Sequence, residues 1–281
     1  MSPLDDRSLT AADALGSAPQ HVDPRPANES PLGLAKAPTS PGRCWLLVLA
    51  AGLLAGLAGF GIGEVAPKLF PVSYELPPEI RGNGARVPIE LERRMGISRD
   101  QSAALAYGGL GMFLGLALGA AGGLARRSLR AAIAAGVVGL ALGGAAGAGM
   151  TRVLLPLFHA SRTGFSEEDR NNDLALALRT HGGIWLAVGA AAGLALGIGL
   201  GGGARMARAL IGGILGAVVA AVFYEFGGAV VFPIAETFRP MAKEMIPRLT
   251  AHLAVALCVA AGALLFAEHL TLRRAMPRSD R

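Results

Sequence analysis

The chain has 281 residues, 52% of them hydrophobic, 16% charged and 40 of them glycine. A soluble domain of this size carries charge on about a quarter of its residues, so a water-soluble globular protein is excluded. The formal charge of +6 does not point to nucleic acid either, because the basic residues are scattered among short loops and form no contiguous stripe.

Residues 1–42 contain seven prolines (Pro3, Pro19, Pro24, Pro26, Pro31, Pro38 and Pro41) and no apolar periodicity, which predicts a disordered tail. The core of the protein is expected over residues 43–270. It holds six uncharged or nearly uncharged stretches at 45–63, 103–125, 131–151, 182–204, 209–232 and 249–267. A helix rises about 1.5 Å per residue, so roughly 20 residues cross the hydrocarbon core. The stretches are continuously apolar and do not alternate, which rules out a β-barrel. The predicted class is an all-α integral membrane protein with about six transmembrane helices.

Charge in the short loops gives an expected orientation. The loop after the second span carries Arg126, Arg127 and Arg130, and the loop after the fourth carries Arg205 and Arg208, with no acid in either. Short basic loops stay on the cytoplasmic side. Residues 271–281 then form a basic cytoplasmic tail, both termini are cytoplasmic, and a bacterial inner (plasma) membrane is the expected location.

Gly111, Gly115, Gly119 and Gly123 in the second span recur as Gly189, Gly193, Gly197 and Gly201 in the fourth, at a constant offset of 78 positions. Arg127, Arg130, Ala131 and Ile133 map onto Arg205, Arg208, Ala209 and Ile211 at the same offset. This pattern reads as a duplicated glycine-rich hairpin. Spans six and one would supply a third hairpin, closed in space, and the whole would be a pseudo-threefold bundle. Glycines four apart make a smooth helix face that another backbone can approach closely, so these eight glycines are predicted helix-packing residues of the glycine-zipper kind.

Glu225, flanked by Phe223, Tyr224 and Phe226, is the one acid deep inside a span. A carboxylate in hydrocarbon is costly and is resolved by protonation, by a cationic partner or by a wet cavity. Arg152, at the far end of span three, is the expected partner, and the two residues would line any ion or proton pathway. The stretch from Gly189 through Arg205 and Arg208 to Glu225 is similar in layout to the proteolipid subunit of rotary ATP synthases, and that likeness implies a proton or sodium site at Glu225. The first hairpin departs from it, with Gly147 and Ala148 at the corresponding depth and no acid.

No nucleophile elbow, zinc-protease helix or phosphate-binding loop stands in the chain, and two cysteines cannot build a metal site. No catalytic residue, metal or cofactor is expected. The expected role is structural or accessory within the lipid bilayer, with the glycine faces and the loops available to a second copy or to another membrane protein. The alternative is a small ion or proton channel or transporter using Glu225.

Overall fold

The computed structural model describes residues 40–82, 84–163, 173–232 and 239–275. All of them belong to one compact unit, Ala37–Arg281. The tail expected over residues 1–42 lies almost wholly outside the described residues, as do the last six residues of the chain.

Seven helices follow one another: α1 (Pro41–Leu69), α2 (Pro78–Arg81), α3 (Arg86–Ala125), α4 (Leu129–Thr163), α5 (Asp173–Leu200), α6 (Gly203–Val231) and α7 (Met245–Ala275). All but the one-turn α2 are long and apolar enough to cross a membrane, and no strand occurs among the described residues. The protein is a polytopic, all-helical membrane protein. With no water in the bilayer core, each segment must satisfy its own amides, and coiling does so within a single segment.

The spanning helices outrun the apolar stretches that announce them. α3 starts at Arg86, 17 positions before its stretch does, and α5 starts at Asp173 instead of Gly182. The extra turns at the start of α3 are charged and carry their own ion pairs, Glu90 with Arg93 and Arg94 at 2.8 Å each. A helix that continues past the lipid no longer needs apolar residues, so hydropathy carries no signal there.

Two tight turns join the hairpins α3–α4 and α5–α6, and their position defines the turn end of the bundle. α3 stops where Arg127 takes a left-handed backbone (φ 55°), its N–H bonding back to Leu124 O at 2.8 Å and that of Ser128 to Gly123 O at 3.0 Å. This is the Schellman arrangement, with arginine where glycine is usual. Ser128 then caps α4, its hydroxyl accepting the Ala131 N–H at 3.3 Å. α5 stops at Gly201 (φ 71°), whose N–H bonds to Gly197 O.

In the packed bundle α1 touches α3, α3 touches α4, and so on through α5, α6 and α7 back to α1, closing a ring of six. Within it α3, α5 and α7 also touch each other. These three are the inner helices: 67%, 61% and 44% of their most apolar stretches are buried, against 33–39% for α1, α4 and α6. Around the ring α3–α4, α5–α6 and α7–α1 are antiparallel neighbours, each pairing one inner helix with one outer helix.

Small residues set the spacing within these pairs. Gly111, Gly115, Gly119 and Gly123 face Gly143, Gly139, Ala135 and Ala132 of α4 so closely that a methyl group on any of them would overlap the facing backbone. Gly189, Gly193 and Gly197 meet Gly213, Ala209 and Met206 of α6 in the same way. Gly201 does not belong with them. It ends α5 in a left-handed conformation, and its neighbour is the Arg126 guanidinium. The offset that relates it to Gly123 holds in the sequence but not in conformation, because α5 ends three positions sooner than α3 does under that offset. Gly212 and Gly216 seat α6 on α7, and Gly52 and Gly56 seat α1 on α7.

Candidate functional site

The end opposite the tight turns, where the long connections run, gathers the buried polar side chains. Glu225 sits on α6 with only 1% of its surface exposed. Phe223 and Phe226, beside it in sequence, are exposed toward the lipid side, whereas Tyr224 and Glu225 turn inward. The carboxylate meets His181 of α5, itself 2% exposed, through its Oε1 and the imidazole Nδ1.

Arg152 is not the partner. It lies exposed on α4, and α4 and α6 share no contact in the ring. The structure therefore does not bring Glu225 and Arg152 together.

The other ring nitrogen of His181, Nε2, stands 3.2 Å from the carbonyl oxygen of Pro240. A carbonyl oxygen only accepts, so Nε2 carries the hydrogen. Tyr107 of α3 donates its hydroxyl hydrogen to the same oxygen. Residues 239–244 thus fold in over the ends of the inner helices, with Ala242 buried at 4% exposure and Arg248 donating to the carbonyls of Ala242 (3.0 Å) and Lys243 (2.6 Å).

Aromatic rings wall the pair. Trp185 stacks on His181 with centroids 5.3 Å apart, and Tyr224 meets the imidazole edge-on at 5.7 Å. Next to them His252 of α7 lies parallel to Tyr107 at 6.3 Å. Its Nδ1 donates to Arg248 O at 2.8 Å, which leaves Nε2 an acceptor with no donor among the described residues. The indole N–H of Trp185 likewise has no acceptor there.

Among the described residues, each of the three antiparallel pairs shows an acid–base contact at this end. Glu64 of α1 binds Arg248 of α7 through two hydrogen bonds of 2.8 and 3.0 Å. Asp100 of α3 meets His159 of α4 at 2.9 Å. The third is Glu225 with His181. Only this last pair is sealed, since Glu64 and Asp100 are about a third exposed. A sealed charge pair that lost one partner would leave a buried charge uncompensated, so each residue depends on the other.

No group of three or more metal-ligating side chains occurs among the described residues. The chain matches no protein-family model, and no curated protein or solved structure is similar to it.

Proposed function

We propose that the protein is a structural or accessory component of its membrane, a compact bundle whose helices are held together by backbone-to-backbone seams and by acid–base contacts at one end. The observation that carries this reading is the closure of Glu225. The one acid deep in a span is 1% exposed and joined to His181, so its charge is spent on uniting α5 with α6 and not on lining a wet path. In this reading the protein has no enzymatic activity. Its partners in this reading are the lipid bilayer and a second copy or another membrane protein, and it sits in a bacterial plasma membrane with both termini cytoplasmic, an orientation that the arginine-rich turns support.

The test is flux in proteoliposomes. Vesicles holding the native protein, the Glu225→Gln variant or no protein should leak protons and monovalent cations at the same rate. Flux above that of empty vesicles, reduced by Glu225→Gln, would replace this reading with a small ion or proton channel or transporter.

A further inference from the structure

His181 uses both ring nitrogens, and that fixes how many protons the cluster must hold. The Pro240 carbonyl requires a hydrogen on Nε2. The contact between Nδ1 and Glu225 Oε1 requires one more hydrogen, on either the carboxyl or the imidazole. Two protons are therefore distributed over three sites, and the pair is neutral overall in either form.

We propose that His181 and Glu225 form a proton-binding site, and that the proton they share holds residues 239–244 in place over the inner helices. When the shared proton leaves to solvent base, one proton remains for two jobs. Kept on Nε2, it leaves an ionised carboxylate facing a bare Nδ1 lone pair. Moved to Nδ1, it satisfies Glu225 but turns the Nε2 lone pair toward the Pro240 oxygen. In either case one contact becomes repulsive between side chains that are only 1–2% exposed. The attachment that gives way in the proposal is that of residues 239–244, which then move off the pair and open it to water.

The described groups on the packed helices do not supply a substitute charge, and the cations Arg239 and Lys243, which have contacts of their own, lie on the covering segment and move with it. Tyr107 from α3 and Tyr224 from α6 are neutral walls within electrostatic reach of Glu225. His252 from α7 faces Tyr107, Arg248 is bound to Glu64 of α1, and on α4 Arg152 is exposed while His159 is held by Asp100. Tyr107 shares the Pro240 acceptor, so it strengthens the docking without changing the proton count. This inference does not rest on the structural role proposed above, and a transporter would carry the same site.

Proton counting gives the sign. A water-exposed imidazole and carboxyl together hold two of these protons between about pH 4.3 and pH 6.5, one above about 6.5 and three below about 4.3. The docked state holds two. Opening therefore releases a proton above about pH 6.5 and is favoured tenfold per pH unit there, while between about 4.3 and 6.5 it is independent of pH.

The experiment places a cysteine at buried Ala242 (Ala242→Cys) in a background of Cys44→Ala and Cys258→Ala, and measures maleimide labelling in detergent from pH 5 to 8.5. A cysteine at exposed Glu244 (Glu244→Cys) in the same background corrects for thiol ionisation. The corrected rate should be flat to about pH 6.5 and then climb about tenfold per unit.

Glu225→Gln supplies the discriminating arm. Its amide donates to Nδ1 without a titrating proton, so the docked variant holds one proton. Labelling should then be flat above about pH 6.5 and rise below it, the reverse of the native profile. Hydrogen exchange of the backbone amides within residues 239–244 of the unaltered chain, divided by the intrinsic base-catalysed rate at each pH, provides a second readout that needs no substitution, and the corrected rate should follow the native profile. A native profile flat from pH 6.5 to 8.5 in both readouts, or a Glu225→Gln profile that still climbs above pH 6.5, overturns the proposal.

Discussion

Adding one methyl group at Gly189 and one at Gly227 should move stability in opposite directions, although the change is chemically the same. At Gly189 the new carbon would stand 2.5 Å from Gly213 O and 2.9 Å from the Ala217 methyl. A carbon and a carbonyl oxygen in contact sit about 3.3 Å apart, so α6 must retreat by about 0.8 Å. A gap of that size forfeits about a quarter to a half of each dispersion contact along the seam. Neither obstacle is the far end of a flexible side chain, which puts the cost near the top of the usual overpacking range, about 3 kcal/mol. Alanine returns about 1 kcal/mol through its better helix propensity, and the net loss for Gly189→Ala is about 2 kcal/mol. Gly227, also on α6, has nothing within 4 Å of the same position, so Gly227→Ala keeps only the gain of about 1 kcal/mol. Reversible unfolding of the two variants in one detergent would separate them by about 3 kcal/mol. Equal shifts, or a Gly189→Ala protein as stable as the native one, would show that the α5–α6 seam is not set by backbone contact.

The tight turn between α3 and α4 yields two smaller effects in the same assay. Arg127→Gly should stabilise by about 1 kcal/mol, because it removes the side-chain crowding of a left-handed residue, and a loss of stability would mean that the arginine side chain outweighs that relief. Ser128→Ala should cost about 1 kcal/mol by leaving the Ala131 N–H without its cap, and no change would show that the hydroxyl bond contributes nothing.

The number and nature of the spanning helices were legible because lipid forces apolar runs of a known length, and the six stretches each lie within an observed helix or extend it by a residue or a few at one end. Seven of the eight ladder glycines lie against the backbone of a neighbouring helix. Gly201 is different because a glycine near a helix end serves chain reversal as readily as packing, and spacing alone does not separate the two uses. Glu225 stands out as an acid in an apolar run, but its partner does not. Charge and depth point to Arg152, and both criteria ignore which helices touch. Continuing the antiparallel register of Gly189 with Gly213 and Gly193 with Ala209 toward the loop end carries Glu225 to within a turn of His181. That signal is present in the glycines themselves. Tyr107, His252 and the Pro240 carbonyl have none, since their meeting depends on how a connection folds over three helices distant in sequence.

The ring closes between α1 and α7, the first and the last of the spanning helices, and that has a bearing on biogenesis. As the polypeptide emerges from the ribosome, α1 can settle against α3 early, yet the grooves at Gly52 and Gly56 and at Gly212 and Gly216 have no occupant until α7 enters the bilayer. Arg248 and Ala242, which anchor the covering segment, arrive with it. The assembling bundle is thus an open crescent until α7 arrives, and from the entry of α6 onward it exposes two backbone-deep clefts to lipid and leaves the histidine–carboxylate pair uncovered. Insertion of one final helix fills both clefts and roofs the pair in a single event.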